Sequence, residues 1–202
     1  MRLIASLTSP YARKIRVLLH EKGLPFALIP DNPHEPANMV SQHNPLGKVP
    51  ALIADDGRAW FDSPVIAEYL ETLAAAPYFL PADRLAAVEV KQVEALADGI
   101  TDAGVLVLLE ARRPAAQQSE AWRARHWGKV EHGLAALDTA IAGRDWFVGS
   151  GMTLADIAVG CMWGWLNFRF PQADLASRYP ALAAWGAMLL ARPAFVQTQP
   201  PA

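Results

Sequence analysis

The chain has 202 residues, 52% of them hydrophobic, and a formal net charge of −2. That length allows one domain or two small ones, and that composition implies a packed core rather than a disordered chain. Residues 1–80 carry 7 Lys or Arg against 8 Asp or Glu and the remainder 11 against 12, a balance that argues against the concentrated basic patch that nucleic acid or an anionic membrane surface requires.

The opening MRLIASLTSP is too short an apolar run before Pro10 for a secretory leader. Arg2–Ser6 within it predicts a first strand. Helical spacing follows through Ile15, Leu18 and Leu19 to Lys22-Gly23, where Gly23 suits the left-handed residue past a helix end. Phe26–Ile29 predicts a second strand. Residues 30–47 hold four prolines and read as loop with one short helical turn. Val49–Ala54 and Ala59–Phe61 predict a hairpin about Asp55-Asp56-Gly57, and Pro64–Leu73 a helix. The helix between strands one and two makes that pair parallel, and the tight turn makes strands three and four antiparallel. A four-stranded mixed sheet covered by helices is expected.

Beyond Pro81 no strand is evident. Amphipathic, Ala-rich stretches near 84–111, 118–142, 153–168 and 180–191 predict a helix bundle. The expected division is 1–76, a linker over 77–81 whose Ala and Pro run begins at 74, and an all-helical 82–202. Thr153 and Asp156 stand at N-cap and N3, with Met152 and Ile157 at the staple positions, so Asp156 reads as a structural cap. The single cysteine, Cys161, cannot form an internal disulfide and reads as a buried thiol. No apolar run reaches the ~18–20 residues that span a bilayer. A cytoplasmic protein is expected. The five histidines lack the spacing of metal ligands, and no phosphate-binding glycine motif occurs, so no metal is expected.

Ser9-Pro10 admits two readings. Serine is a preferred N-cap and proline fits the first helical position, so the pair can be a helix start and nothing more. The same helix end carries partial positive charge, and a hydroxyl beside it can donate to an anionic sulfur. A free thiol titrates near ~8.5, and lowering it by about two units takes about 2.7 kcal/mol. A charge-assisted hydrogen bond and a helix terminus together supply that order. Asp62-Ser63-Pro64 repeats the pattern at a second helix, again readable as plain capping or as an anion site.

The block NPLGKVPALIADDGRAWFDSPVIAEYL, Asn44 to Leu70, resembles cytosolic glutathione transferases in its turn, Val-Pro, hairpin and acidic-Ser step before a helix. Thr8-Ser9-Pro10-Tyr11-Ala12-Arg13-Lys14 is similar to the start of bacterial members with Ser or Cys at the first helix. Thr153–Ile157 and Arg192-Pro193-Ala194-Phe195 resemble the family's later signatures, so the likeness spans essentially the whole chain. It implies a thioredoxin-like α/β N-terminal domain joined to an all-α helix bundle, usually as a homodimer. Ser9 would then stabilise the glutathione thiolate. Val49, before a cis Pro50, would pair with the cysteinyl backbone. Asp62 and Ser63 would bind the γ-glutamyl end, and Lys48 with His34 the glycyl carboxylate. Asp62 stands where Glu is commoner.

Tyr11 and Trp165 are candidates for lining a pocket for a small hydrophobic electrophile; most other tryptophans read as core. Serine cannot form the mixed disulfide that cysteine would, which favours addition or substitution by the glutathione thiolate. The expected activity is therefore conjugation of glutathione, as co-substrate, to an electrophile, in detoxification. A glutathione-binding or protein-interaction module with little turnover is the alternative, since a fold does not determine activity.

Overall fold

The computed structural model describes residues 1–73 and 76–201. These form two compact units, 1–81 with 191–202, and 82–190. Residues 74 and 75, where the expected linker run begins, lie outside the described residues.

The first unit holds strands β1 (Arg2–Ala5), β2 (Ala27–Pro30), β3 (Ala51–Ile53) and β4 (Ala59–Trp60) in the order β2-β1-β3-β4. β1 runs parallel to β2 and antiparallel to β3, and β3 runs antiparallel to β4. The expected strand over Val49–Ala54 is shorter than predicted, because Pro50 has no N–H to donate to a ladder. Gly57, at φ 84°, supplies the left-handed residue of the β3–β4 turn. A 3₁₀ turn at Val40–Gln42 is the one helical turn of the proline-rich stretch.

Helices α1 (Pro10–Glu21) and α2 (Ser63–Thr72) pack on one another and cover the sheet. Ile15, Leu18, Leu19, Ile66 and Leu70 are fully buried with Leu3 and Leu52. Trp60 on β4 stacks on Tyr69 of α2, ring centres 4.7 Å apart. Lys22, at the end of α1, donates to Glu71 at 3.1 Å and to the Pro77 carbonyl at 2.9 Å, while Glu71 accepts from the Phe79 and Leu80 N–H groups. That buried pair ties the chain leaving α2 back to α1.

The second unit contains α3 (Arg84–Ala111), α4 (Glu120–Ile141), α5 (Leu154–Arg169), α6 (Leu175–Arg178) and α7 (Pro180–Leu190). The Thr153 side chain accepts from the Asp156 N–H and an Asp156 oxygen accepts from the Thr153 N–H at 2.7 Å, a complete capping box; the Thr153 hydroxyl also donates to that oxygen at 2.9 Å, and the Phe147 N–H donates to the other at 3.0 Å. Burial pushes the Asp156 carboxyl upward in pKa against the pull of those bonds. Cys161 is buried, as expected. The helices approach closely at glycine: a Cβ on Gly133 of α4 would stand 2.4 Å from Ile100 of α3.

The chain's end departs from the sequence expectation. The all-helical domain was expected to run to 202, but α8 (Pro193–Gln197) packs on α1 within the first unit. Arg13 and Arg16 of α1 donate to the Phe195 and Thr198 carbonyls at 3.1 and 3.2 Å, and Arg192 makes two bonds to Glu21. The physical reason is charge at a helix terminus: the open carbonyls ending α8 accept hydrogen bonds from two guanidiniums of α1.

Candidate functional site

The strand register gathers the candidate residues. Ile4 lies opposite Ala51 in the antiparallel β1–β3 pair, so the chain leaving β1 runs beside the start of β3 at Val49-Pro50. Leu52 lies opposite Trp60, so the chain leaving β4 at Phe61-Asp62 emerges beside that same start. Both α1 and α2 therefore begin at one end of the sheet. Ser9, Val49, Pro50, Asp62 and Ser63 converge there, from three separate stretches of chain. The parallel β1–β2 pair, with Ala5 opposite Pro30, sends the loop carrying His34 out from the same end.

At α1 the Ser9 N–H donates to the Ser6 carbonyl at 3.1 Å, forming a turn, and Ser9 Oγ accepts from the Ala12 N–H at 3.2 Å. Ser9 is thus an N-cap, half-buried, with extended backbone. The bond uses one lone pair of the hydroxyl and leaves its proton available to donate outward. Ser6 Oγ and Thr8 Oγ1 lie 3.3 Å apart in the same loop. Tyr11, the second residue of α1, is half-buried.

At α2 the geometry differs. Asp62 is exposed, and no described side chain caps the helix; its carbonyl accepts the first intrahelical bond, from Ile66, at 2.9 Å. The Asp62 carboxylate therefore does not close the first turn of α2. Ser63 is buried as the first helical residue. The peptide bonds before Pro50 and before Asp62 are cis.

Between them, Asn44 shapes the loop. It is 2% exposed; its side chain donates to the Lys48 carbonyl at 2.8 Å and accepts from the Leu46 N–H at 3.0 Å. Gly47, at φ 61°, closes the turn by donating to the Asn44 carbonyl. Asn44 thereby positions Lys48 and Val49. Sequence reasoning read Asn44 only as part of a turn; an asparagine directly ahead of Pro45 and three before Gly47 was the available signal. Lys48 is exposed and makes no ion pair with a described residue, while Val49 is half-buried. His34 is exposed, its backbone held to Asn32.

Trp165 lies on α5. It is 3% exposed, set edge-on to Phe170, and a Cβ on Gly104 would stand 2.9 Å from its ring. The absence of a side chain at Gly104 is what lets the indole fill the core of the second unit. Trp163 and Trp185 are also core, whereas Trp122 is 45% exposed. Among the described residues no cluster of metal-ligating side chains occurs, and no helix is long and apolar enough to cross a membrane.

A small mixed sheet with two helices starting from one end beside a cis Val-Pro step, joined in sequence to a helix bundle, defines the glutathione S-transferase architecture. Residues 8–73 match the N-terminal domain of glutathione S-transferases and residues 120–185 the C-terminal domain. The chain belongs to that family. It is 43% identical over 201 residues to the uncharacterized GST-like protein YibF of Escherichia coli K12, covering 100% of this chain and 99% of that one. Two crystal structures are similar throughout. A glutathione S-transferase from Methylobacillus flagellatus KT, with glutathione bound, superposes with a TM-score of 0.96 at 42% identity, covering 99% of each chain. One from Methylobacterium radiotolerans JCM 2831, in complex with glutathione sulfonate, gives 0.95 at 43% identity, covering 100% of this chain and 95% of that one.

Proposed function

We propose that this protein binds glutathione at the shared sheet end and activates its thiol for attack on a small hydrophobic electrophile. The observation that carries the reading is the convergence of the Ser9 turn, the Val49-Pro50 step and the open N-terminus of α2. The tripeptide backbone pairs with Val49 ahead of the cis proline. Its γ-glutamyl carboxylate takes the free N–H groups at the start of α2 and the Ser63 region, and Asp62 takes the ammonium. Lys48, with His34, meets the glycyl carboxylate. The relatives solved with glutathione or its sulfonate support this ligand.

Ser9 supplies the chemistry. Its oxygen is fixed by the Ala12 N–H, so its proton points a charge-assisted hydrogen bond at the sulfur. The α1 terminus adds favourable potential. The thiolate then forms a bond to the electrophilic carbon as a leaving group departs or a proton is taken up, and nucleophile activation plus proximity drives the rate. Tyr11, one turn position on, borders the acceptor. We place the protein in the cytoplasm, in detoxification, as a homodimer. The last is supported by Leu85 and Val88, 69% and 62% exposed on one face of α3. The glutathione-binding part is assigned to 1–76, with 77–81 as linker.

The alternative, a binding module with little turnover, draws support from the same Ser9–Ala12 bond, since a cap alone explains it. Thiolate ultraviolet absorbance, titrated against pH with glutathione bound, separates the two. The transferase reading expects a thiol pKa about two units below the free value, returning toward it in Ser9→Ala. Binding with an unshifted thiol in the unaltered protein would favour the module.

A further inference from the structure

Helix α8 and the residues after it lie along α1, and polar contacts tie the two from the last residue of α1 to its first turn. At the far end Arg192 makes two bonds to Glu21, at 3.0 and 2.9 Å. Nearer the start, Arg16 donates to the Thr198 carbonyl at 3.2 Å. Nearest the start is Arg13, 4% exposed, which donates to the Phe195 carbonyl at 3.1 Å and lies with Nε 3.5 Å from Thr198 Oγ1. Its seat is itself held: Phe195 and Thr198 are fully buried, and the Thr198 hydroxyl donates to the Ala194 carbonyl at 2.8 Å. Arg13 is also the residue whose N–H donates to the Ser9 carbonyl, at 3.0 Å, while the neighbouring Ala12 N–H donates to Ser9 Oγ. Ser9 and Arg13 are four residues apart, so they stand on the same side of α1.

The first turn of a helix lacks the backbone bonds that hold later turns, and it frays unless something outside the helix fixes it. A buried arginine is a poor choice for packing alone, since a well-packed apolar side chain of similar volume often stabilises as well or better. What a guanidinium adds is direction, because its planar fork of donors meets acceptors at set angles. We propose that Arg13 is a positioning residue: braced on Phe195 and Thr198, it fixes the first turn of α1 and so aims the Ser9 hydroxyl at the glutathione sulfur. The brace matters only if Ser9 acts as proposed above, and it brings the chain's last residues into the support of that site. A displacement of about 1 Å at a catalytic group can cost on the order of a hundredfold in rate, so a brace one turn away is close enough to govern the hydroxyl. Arg13 itself touches neither glutathione nor electrophile and acts through Ser9.

The test reads the pKa of the bound glutathione thiol by thiolate ultraviolet absorbance, in the full-length protein at saturating glutathione, with Tm measured beside it. Arg13→Met is expected to raise that pKa by about one unit. Thr198→Val, which decides the matter should Arg13→Met not fold, is expected to raise it by about half a unit. In a Ser9→Ala background Arg13→Met is expected to add nothing, because the brace acts through the hydroxyl. Glu21→Gln cuts the other end of the same strap and is expected to lower Tm while leaving the pKa in place. If Ser9→Ala raises the pKa but Arg13→Met and Thr198→Val do not, the brace is overturned and the Ser9 reading stands. An equal rise with and without Ser9 overturns the brace too, since the lost charge would then act directly on the sulfur. So does an equal rise in Glu21→Gln, which would mark a general loosening of α1. If Ser9→Ala itself leaves the pKa unchanged, the Ser9 reading and the brace fall together.

Discussion

Ser9, Asp156 and His126 each hold a polar group at a helix, and each uses it differently. Ser9 divides its hydroxyl between an accepted bond from Ala12 and a proton left to donate. Asp156 spends both oxygens inside the fold: three donors from Thr153 and Phe147 converge on a carboxylate that is fully buried. Asp156→Ala strands those donors and removes the N3 half of the α5 capping box. A loss of about 2–4 kcal/mol is expected, read as a lower urea midpoint at unchanged slope. His126 is buried beside the Trp122 ring, 4.3 Å away, with neither ring nitrogen partnered. Desolvation, then Lys129 and Arg125, lower its pKa below the ordinary 6.5. The unfolded chain therefore binds this proton more readily than the folded one, and stability falls as pH drops from 6.5 toward the lowered value. His126→Phe should flatten that fall: its urea midpoint should change less between pH 7.5 and 5.5 than that of the unaltered protein. Equal changes would remove His126 from the account.

At the scale of elements, the two units are built on different kinds of contact. Two helices of the first unit begin at one end of a sheet whose strands are two to four residues long, so register decides what meets what. A slip of one residue between β1 and β3 would turn the Ser9 loop away from Val49. In the second unit, α3 and α4 meet where Gly133 leaves room for Ile100. Gly133→Ala gains helix propensity of up to about 1 kcal/mol but drives a Cβ into a stiff, β-branched and buried side chain. Overpacking costs about 1–3 kcal/mol, so the net change is expected to be destabilising, measured as a lower Tm. A rise in Tm would show that the helix pair relaxes freely. The same logic accounts for Trp165: the stretch Leu154–Leu166 is buried almost throughout, so periodicity alone could not reveal which tryptophan faces a neighbour's glycine.

Across the whole molecule, the last element belongs with the first. Phe195 of α8 is fully buried, and its backbone carbonyl accepts from Arg13. Phe195→Ala is expected to destabilise by about 3–5 kcal/mol, seen as an earlier thermal transition that fluorescence of Trp60 in the first unit follows. An unchanged transition would mean that α8 is a dispensable appendage. Local chemistry determined much of this protein from sequence alone. Proline and glycine placed the turns, long amphipathic periods placed the four main helices within a residue or two, and Thr153 with Asp156 placed a cap, because each is decided by neighbours a few positions apart. Only tertiary structure decided the rest: β1 between β2 and β3, the meeting of Ser9, Val49 and Asp62 at one sheet end, and the return of α8 to α1. Those depend on pairings between residues tens to nearly two hundred positions apart, where register, close approach at glycine and the need to pair buried charge choose among arrangements that local propensity leaves equal.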